Sequence, residues 1–278
     1  MMELTTGLLL LAVGIIAGSY GTIVGAGGGF IFVPALLLLF HMDPKVAAGS
    51  GIVIVLINSL SGVIGYAKQK RIDYHTGLTL SIGALPGSLL GVWLLQIYSS
   101  SYFYVIFATI LVALGIFLFA NNSPLAILKK KKVHLMNKEG SYDEVAAASA
   151  VSVSFTEKKC QLPITFILPI GFLMGVLSSY LGIGGGWLLV PILIYGFKVP
   201  THIATATSIF SLTLYSSVGV ISQMFYNSID WMTVFWGGLG VIVGSQIGVL
   251  LSKKIPGKVI LQMLSVLLIV IGFRMYLN

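Results

Sequence analysis

The stretches Gly25-Ala-Gly-Gly-Gly-Phe-Ile-Phe-Val-Pro34 and Gly182-Ile-Gly-Gly-Gly-Trp-Leu-Leu-Val-Pro191 repeat one pattern within a single chain. In both, a glycine-rich break (residues 25–29 in the first, 182–186 in the second) separates a long apolar run from a short one. The matching residues are glycine and proline, which a general excess of leucine and valine does not explain. We therefore predict a duplicated fold whose halves each begin with a helix, a glycine-rich break and a short helix.

The duplication extends beyond these stretches. Equivalent residues lie 157 positions apart, as Gly62 and Gly219 do, and Asp73 and Asp230. Internal repeats of this kind are common in secondary transporters. The chain is accordingly divided into a first transmembrane repeat, a linker and a second transmembrane repeat, at residues 1–120, 121–163 and 164–278.

The composition restricts the class of protein. Of 278 residues, 57% are hydrophobic and 9% are charged, whereas a soluble domain carries about 25% charged residues. The mean hydropathy is +1.01. These values exclude a soluble enzyme, a disordered chain, collagen and a coiled coil, and they predict an all-α polytopic membrane protein. The one cysteine, Cys160, excludes a disulfide framework and a cysteine-based metal site.

Apolar runs of about 18 residues or more predict transmembrane helices, because the hydrocarbon core is about 30 Å thick. Such runs are Gly7–Val24, Val46–Ala67, Tyr74–Ile97, Tyr102–Ala120, Ile164–Leu181, Ile203–Phe225, Trp231–Leu251 and Val259–Leu277. The pieces that follow the breaks end at Phe40 and Phe197 and are too short for a comfortable span. Each half is thus predicted to be a helix–break–short helix hairpin followed by three transmembrane helices.

The basic residues predict the orientation of the two halves. Loop 68–71 is basic and its equivalent 225–230 is not, whereas loop 253–258 is basic and its equivalent 96–101 is not. Basic loops stay in the cytoplasm, so equivalent loops are expected on opposite sides and the repeat is expected to be inverted. The linker is then cytoplasmic and both termini lie outside. The net charge of +8 thus reflects membrane orientation and not nucleic-acid binding.

The glycine-rich breaks are the predicted binding site for a small anion. Each short helix starts at a break, where its free N–H groups and about half a positive charge attract anions. The middle of each span contains no Lys or Arg, so the backbone would carry the binding. The alternative is that the glycines only allow close helix packing. The predicted binding glycines are Gly25, Gly27, Gly28, Gly29, Gly182, Gly184, Gly185 and Gly186.

Polar side chains within the spans are predicted to assist. Their hydroxyl and amide groups could complete the hydrogen bonds of an oxyanion, or could instead bond other helices or their own backbone. The candidates are Ser50, Asn58, Thr207, Ser208, Ser216 and Gln246. Asp73 and Asp230 each precede a span with Thr three residues on, which favours a role as helix N-caps over proton coupling.

The two opening stretches resemble the paired G-x-G-G-G-x4-P signature of the TauE/SafE permeases, the sulfite exporter family. Pro200-Thr-His-Ile-Ala-Thr-Ala-Thr-Ser208 looks like a second, helix-opening motif of that family, and Pro44-Lys-Val-Ala-Ala-Gly-Ser-Gly51 is a looser version. The resemblance covers both halves and not the linker. It implies the export or uptake of sulfite, thiosulfate, sulfonates such as sulfoacetate, or other small organic anions.

Together these observations predict a secondary transporter of the cytoplasmic membrane that moves a small sulfur-containing anion by alternating access. An anion channel, or a transporter of carboxylates, is the alternative. The expected partners are the anion and the lipid bilayer, with no nucleic acid, cofactor or metal. An enzyme is not expected, because the sequence contains no catalytic constellation. A bulkier residue at Gly28 or Gly185 is predicted to abolish transport while membrane insertion persists.

Overall fold

A computed structural model describes residues 4–97, 100–122 and 164–276. These residues form ten α-helices and no strand, which confirms the all-α prediction; most of the linker lies outside them. The helices are α1 Leu4–Val24, α2 Gly29–Leu39, α3 Pro44–Lys68, α4 Tyr74–Ile97, α5 Ser100–Asn122, α6 Ile164–Leu181, α7 Gly186–Pro191 with a π-helical continuation Ile192–Gly196, α8 Thr201–Phe225, α9 Trp231–Leu251 and α10 Gly257–Tyr276.

Six helices are long and apolar enough to cross a membrane, namely α1, α3, α4, α8, α9 and α10. Large apolar side chains cover their outer faces, as Leu8, Phe235 and Phe273 do with more than half of their surface exposed. In water such a surface would drive aggregation, whereas hydrocarbon solvates it. α2 has only 11 residues, which confirms the predicted short helix after the first break. The six long apolar helices confirm the class of a polytopic membrane protein.

The internal repeat reappears in the bounds and contacts of the helices. α3 and α8 both have 25 residues, and the 11 residues of α2 match the 6 of α7 and the 5 of its continuation. α1 packs on α9 as α6 packs on α4, while α3 meets α8 and α5 meets α10. The two halves therefore interlock. Their inverted orientation in the membrane stays a prediction.

Glycines outside the breaks allow the close approach of α1 to α9. A Cβ atom added to Gly14 would lie 3.2 Å from the Cα atom of Gly240, and one added to Gly18 would lie 2.9 Å from the Cα atom of Val241. Backbones this close exclude larger side chains, as small-residue interfaces in membranes do. The packing interpretation of glycine therefore holds at this interface.

The two aspartates that precede spans act as helix caps. The Asp73 carboxylate accepts hydrogen bonds from Thr76 N–H at 3.3 Å and from its hydroxyl at 2.6 Å. The Asp230 carboxylate accepts from Met232 N–H at 3.2 Å and from the Thr233 hydroxyl at 2.6 Å. These bonds satisfy free donors at the starts of α4 and α9, and the capping prediction is confirmed.

Candidate functional site

The two glycine-rich breaks are fully buried and meet each other. A Cβ atom added to Gly29 would lie 2.9 Å from the Cα atom of Ile183. A Cβ atom added to Gly186 would overlap the carbonyl oxygen of Gly25. The structure therefore brings both sets of predicted binding glycines together, with their backbones in direct contact.

Five of these glycines have a left-handed backbone that other residues adopt only with strain. Their φ angles lie between +69° and +83°, and the glycines are Gly25, Gly27, Gly28, Gly182 and Gly184. This conformation turns the chain sharply out of the preceding helix and into the short helix that follows. Glycine is thus required at these five positions by the backbone conformation of the breaks.

The halves differ at the fourth position of the break. Gly28 has a φ of 77°, whereas its equivalent Gly185 has a φ of −87°. The Gly185 N–H donates a hydrogen bond to the Tyr215 hydroxyl at 3.1 Å. The residue equivalent to Tyr215 in the first half is Asn58, so this bond has no counterpart there.

Two equivalent apolar side chains, Val55 and Leu212, close the space beside the breaks. A Cβ atom added to Gly27 would lie 3.0 Å from Cγ1 of Val55 and 3.1 Å from Cδ1 of Leu212, and Gly184 faces the same two side chains at the same distances. The conformation is therefore closed at the centre. An anion can reach the break backbones from there only after the breaks or these side chains separate.

Ser208 is the predicted assisting residue that reaches a break directly. Its hydroxyl donates to the Gly25 carbonyl at 2.8 Å. Its equivalent, Gly51, lies against the other break, where an added Cβ atom would be 2.6 Å from the Gly182 carbonyl oxygen. Each break is thus held by a long helix of the opposite half.

Ser50 and Thr207, by contrast, bind the backbone directly before α9 and α4, respectively. The Asp230 N–H donates to the Ser50 hydroxyl at 2.9 Å, and the Asp73 N–H donates to the Thr207 hydroxyl at 3.0 Å. Both hydroxyls are buried. The equivalent residues therefore tie each half to a loop of the other half.

Replacing Thr207 with valine should lower the stability of the protein by about 1 kcal/mol, because the Asp73 N–H loses its partner. Thr213→Val is the matched control, since the Thr213 hydroxyl donates to the Ile209 carbonyl of its own helix. Thermal denaturation and the concentration dependence of transport would be measured together. A raised KM with unchanged stability would contradict the structural role and favour direct contact with the anion.

The first half contains a polar cluster whose members are joined by hydrogen bonds. We call Thr22, Asn58, Tyr66 and Ser245 the first polar cluster. The Thr22 hydroxyl donates to Oδ1 of Asn58 at 3.1 Å, and the Tyr66 hydroxyl donates to the Thr22 carbonyl at 2.8 Å. The Ser245 hydroxyl donates to the Asn58 carbonyl at 3.2 Å. Only Nδ2 of Asn58 is left without a partner in this cluster.

The equivalent residues of the second half, Ser179, Tyr215, Gln223 and Ser88, form the second polar cluster. Gln223 is fully buried, yet neither Oε1 nor Nε2 has a hydrogen-bond partner among the described residues. The buried Ser179 hydroxyl also has none. The Ser179 hydroxyl oxygen would lie 2.9 Å from a Cβ atom added to Gly219. Gly219 is one helical turn before Gln223 in α8. Unsatisfied groups of this kind cost about 1–3 kcal/mol each, which makes this cluster a candidate site for a ligand or water.

Sequence reasoning alone missed Ser179, Tyr215 and Gln223. A signal was present, because an amide within a membrane span is expensive unless it has a function or a partner. The repeat also pairs Gln223 with a tyrosine, so the position is polar in both halves.

The last two predicted residues make local or peripheral contacts. The Ser216 hydroxyl donates to the carbonyl of Leu212 in its own helix. Gln246 is exposed on the outer face of α9, and its Nε2 donates to the Ser61 carbonyl at 2.9 Å and hydroxyl at 2.7 Å. Within the described residues, no group of three His, Cys, Asp or Glu side chains could hold a metal ion.

An apolar helix bundle with buried glycine-rich breaks and buried polar clusters has the architecture of a multi-pass membrane transporter. The comparison with known families agrees. The family model described as sulfite exporter TauE/SafE matches residues 10–275. The chain belongs to this family.

Relatives extend over nearly the whole chain. The probable membrane transporter protein YunE of Bacillus subtilis is 30% identical over 280 residues, covering 96% of each chain. A probable membrane transporter protein of Methanocaldococcus jannaschii is 31% identical, covering 97% of this chain and 95% of its own. No solved structure matches. The protein is thus a membrane transporter, and these names leave its substrate open.

Proposed function

We propose that this transporter moves a small sulfur-containing anion, namely sulfite, thiosulfate or an organosulfonate, across the cytoplasmic membrane by alternating access. The observation that carries the proposal is the second polar cluster. Its buried Gln223 amide and buried Ser179 hydroxyl have no hydrogen-bond partner among the described residues, and Ser179 lies three residues before the second break. Such groups can replace part of the hydration shell that an anion loses on entering a membrane protein.

The electrostatics of the centre favour an anion. The starts of α2 and α7 lie at the two touching breaks, and helix starts carry partial positive charge and free N–H groups. The sequence places no carboxylate in the middle of a described span. A small oxyanion offers several acceptor oxygens to such donors, whereas a cation would meet none of the negative charge it requires.

The closed centre supports alternating access. Val55 and Leu212 fill the space beside the touching breaks, so a substrate path requires movement. Because α1 packs on α9 and α4 packs on α6, we propose that the moving units are these mixed pairs, each with helices from both halves. If one repeat rocked as a unit against the other, both the α1–α9 interface and the α4–α6 interface would have to separate.

Proteoliposomes containing the purified protein would test the function. Uptake of sulfite, thiosulfate and sulfoacetate should saturate with concentration and should be stimulated by the same anion inside, compared with protein-free liposomes. Flux that does not saturate and follows the membrane voltage would favour an anion channel. Carboxylates that compete better than every sulfur anion would overturn the proposed substrate class.

The basic loops support the proposed orientation, in which the linker is cytoplasmic and both termini are outside. Nε2 of Gln69 donates to the Val249 carbonyl at 3.3 Å, near the end of α9, which places loop 68–71 beside the start of loop 253–258. Both basic loops would then face the cytoplasm. Cysteines introduced at Lys70 and Lys254 should react with an impermeant reagent from the same side, and reaction from opposite sides would refute this orientation.

A further inference from the structure

Arg71 is unusual among the basic residues of the described part of the chain. Arg71 and Lys45 are half-buried. The other described Lys and Arg side chains, Lys68 and Lys70 among them, are exposed. The Lys45 ammonium donates to the Gln96 carbonyl at 3.0 Å. The Arg71 guanidinium has a buried Nη1 with no hydrogen-bond partner among the described residues. A buried guanidinium donor without a partner is costly, so this group is suited to an anion from outside the chain.

The course of the loop brings Arg71 to the start of α8. Two residues further on, the Asp73 N–H donates to the Thr207 hydroxyl, and between them Ile72 packs in one cluster with Ala206. The chain therefore runs along the first turns of α8, with Arg71 nearest to its start. His202 lies in this first turn, near enough to Arg71 for the two charges to interact. Among the described residues, its buried Nδ1 has no hydrogen-bond partner either.

The start of α8 lacks the negative cap that its equivalent possesses. α3 begins after Asp43, whose carboxylate accepts from the Lys45 N–H at 2.8 Å. α8 begins after Pro200, which provides no side-chain cap. Asp73, the described acid that follows Arg71 in this loop, is engaged by Thr76. The positive end of this 25-residue helix thus lies beside a guanidinium and an imidazole, and no unengaged carboxylate of the described residues balances them.

We propose that Arg71 and His202, with the first turn of α8, bind an oxyanion at the end of the bundle that bears the basic loops. The planar guanidinium donates pairs of parallel hydrogen bonds that match two oxygens of a phosphate, sulfate or sulfite group. The oxyanion has two possible sources, a free anion in solution and the phosphate of a lipid headgroup. This site adjoins Tyr66 of the first polar cluster, whose carbonyl accepts a hydrogen bond from the Arg71 N–H at 3.3 Å, but it does not depend on which anion is transported.

The test uses the full-length protein in nanodiscs and the variant R71Q. Thermal stability would be followed against sulfate and sulfite in nanodiscs of neutral lipid, and against the fraction of phosphatidylglycerol without added anion. Wild-type protein should be stabilised by at least one probe, and R71Q should need about tenfold more of it or show no response. K68Q removes the same charge from an exposed side chain three residues away and should respond like wild type.

A second variant keeps the proposal open to refutation if R71Q does not fold. H202E places a carboxylate beside Arg71, so it should be more stable than wild type without anions and should lose the response to them. A response to soluble anions alone identifies a free ligand, and a response to phosphatidylglycerol alone identifies a headgroup; both support the site. The proposal is wrong if both variants respond like wild type, or if wild type responds to no probe. Because transport can be measured separately, failure here leaves the proposed function intact.

Discussion

Replacing Gly182 with alanine is expected to abolish the folded protein and, with it, transport. Gly182 has a φ of +69°, and an added Cβ atom would lie 2.6 Å from the carbonyl carbon of Ala48. The left-handed backbone costs alanine about 1–2 kcal/mol, and overpacking adds about 1–3 kcal/mol. Neither penalty can be relieved by a side-chain rotation, because the obstructing atoms belong to the backbone of α3.

Gly196→Ala is the matched control for this substitution. Gly196 ends the π-helical continuation of α7, and an added Cβ atom would meet only Cγ2 of Ile192, at 4.0 Å. Size-exclusion profiles and melting curves in detergent should show aggregated or unstable protein for Gly182→Ala and near wild-type protein for Gly196→Ala. Equal melting temperatures for the two variants would show that the break does not require glycine at position 182.

Replacing Gln223 with leucine should reduce transport by about tenfold or more while leaving the protein as stable as wild type or more stable. The amide is fully buried and has no partner among the described residues. Leucine has a similar size and removes the unsatisfied groups, which relieves about 1–3 kcal/mol of desolvation penalty. The same change deletes donors that the proposed substrate needs, so activity and stability should move in opposite directions.

The repeat provides the comparison, because Tyr66 is the equivalent of Gln223 and has a partner. Tyr66→Phe removes its bond to the Thr22 carbonyl and should lower stability by about 1 kcal/mol. Melting temperatures and initial transport rates would be measured for both variants. If Gln223→Leu transports at the wild-type rate, the second polar cluster does not bind the substrate. If it is strongly destabilised, the amide has a structural partner.

The structure also alters how the glycine prediction must be tested. A Cβ atom at Gly28 would lie 2.9 Å from the Ala17 carbonyl oxygen, in a left-handed backbone. A larger residue there therefore disturbs folding as well as binding. Gly185 has an ordinary backbone, and its added Cβ atom would press on the Tyr215 hydroxyl at 2.7 Å. Gly185→Ala is the better probe of the site, since its strongest contact is with the Tyr215 hydroxyl and the next, the Met174 carbonyl oxygen, is at 3.1 Å.

Much of the fold could be predicted from local patterns. Apolar length gave the long helices, glycine runs gave the breaks, and Asp73 and Asp230 before Thr gave the helix caps, because each signal acts within a few residues. The start of α3 was predicted two residues late, since Pro44 continues the helix from its Asp43 cap. The roles of Ser50 and Gln223 could not be predicted, because each depends on which helix of the other half lies opposite.

The sequence by itself determined that this chain is an all-α membrane protein with a duplicated fold and two glycine-rich breaks. Composition, apolar length and the 157-residue offset are properties of the chain that hold before any helix packs. Only the tertiary structure decided that the halves interlock, that the breaks touch, and that the first polar cluster is joined by hydrogen bonds while Gln223 and Ser179 of the second have no partner among the described residues. Hydrogen-bond satisfaction depends on distances of about 3 Å between residues far apart in the chain, and packing alone sets those distances.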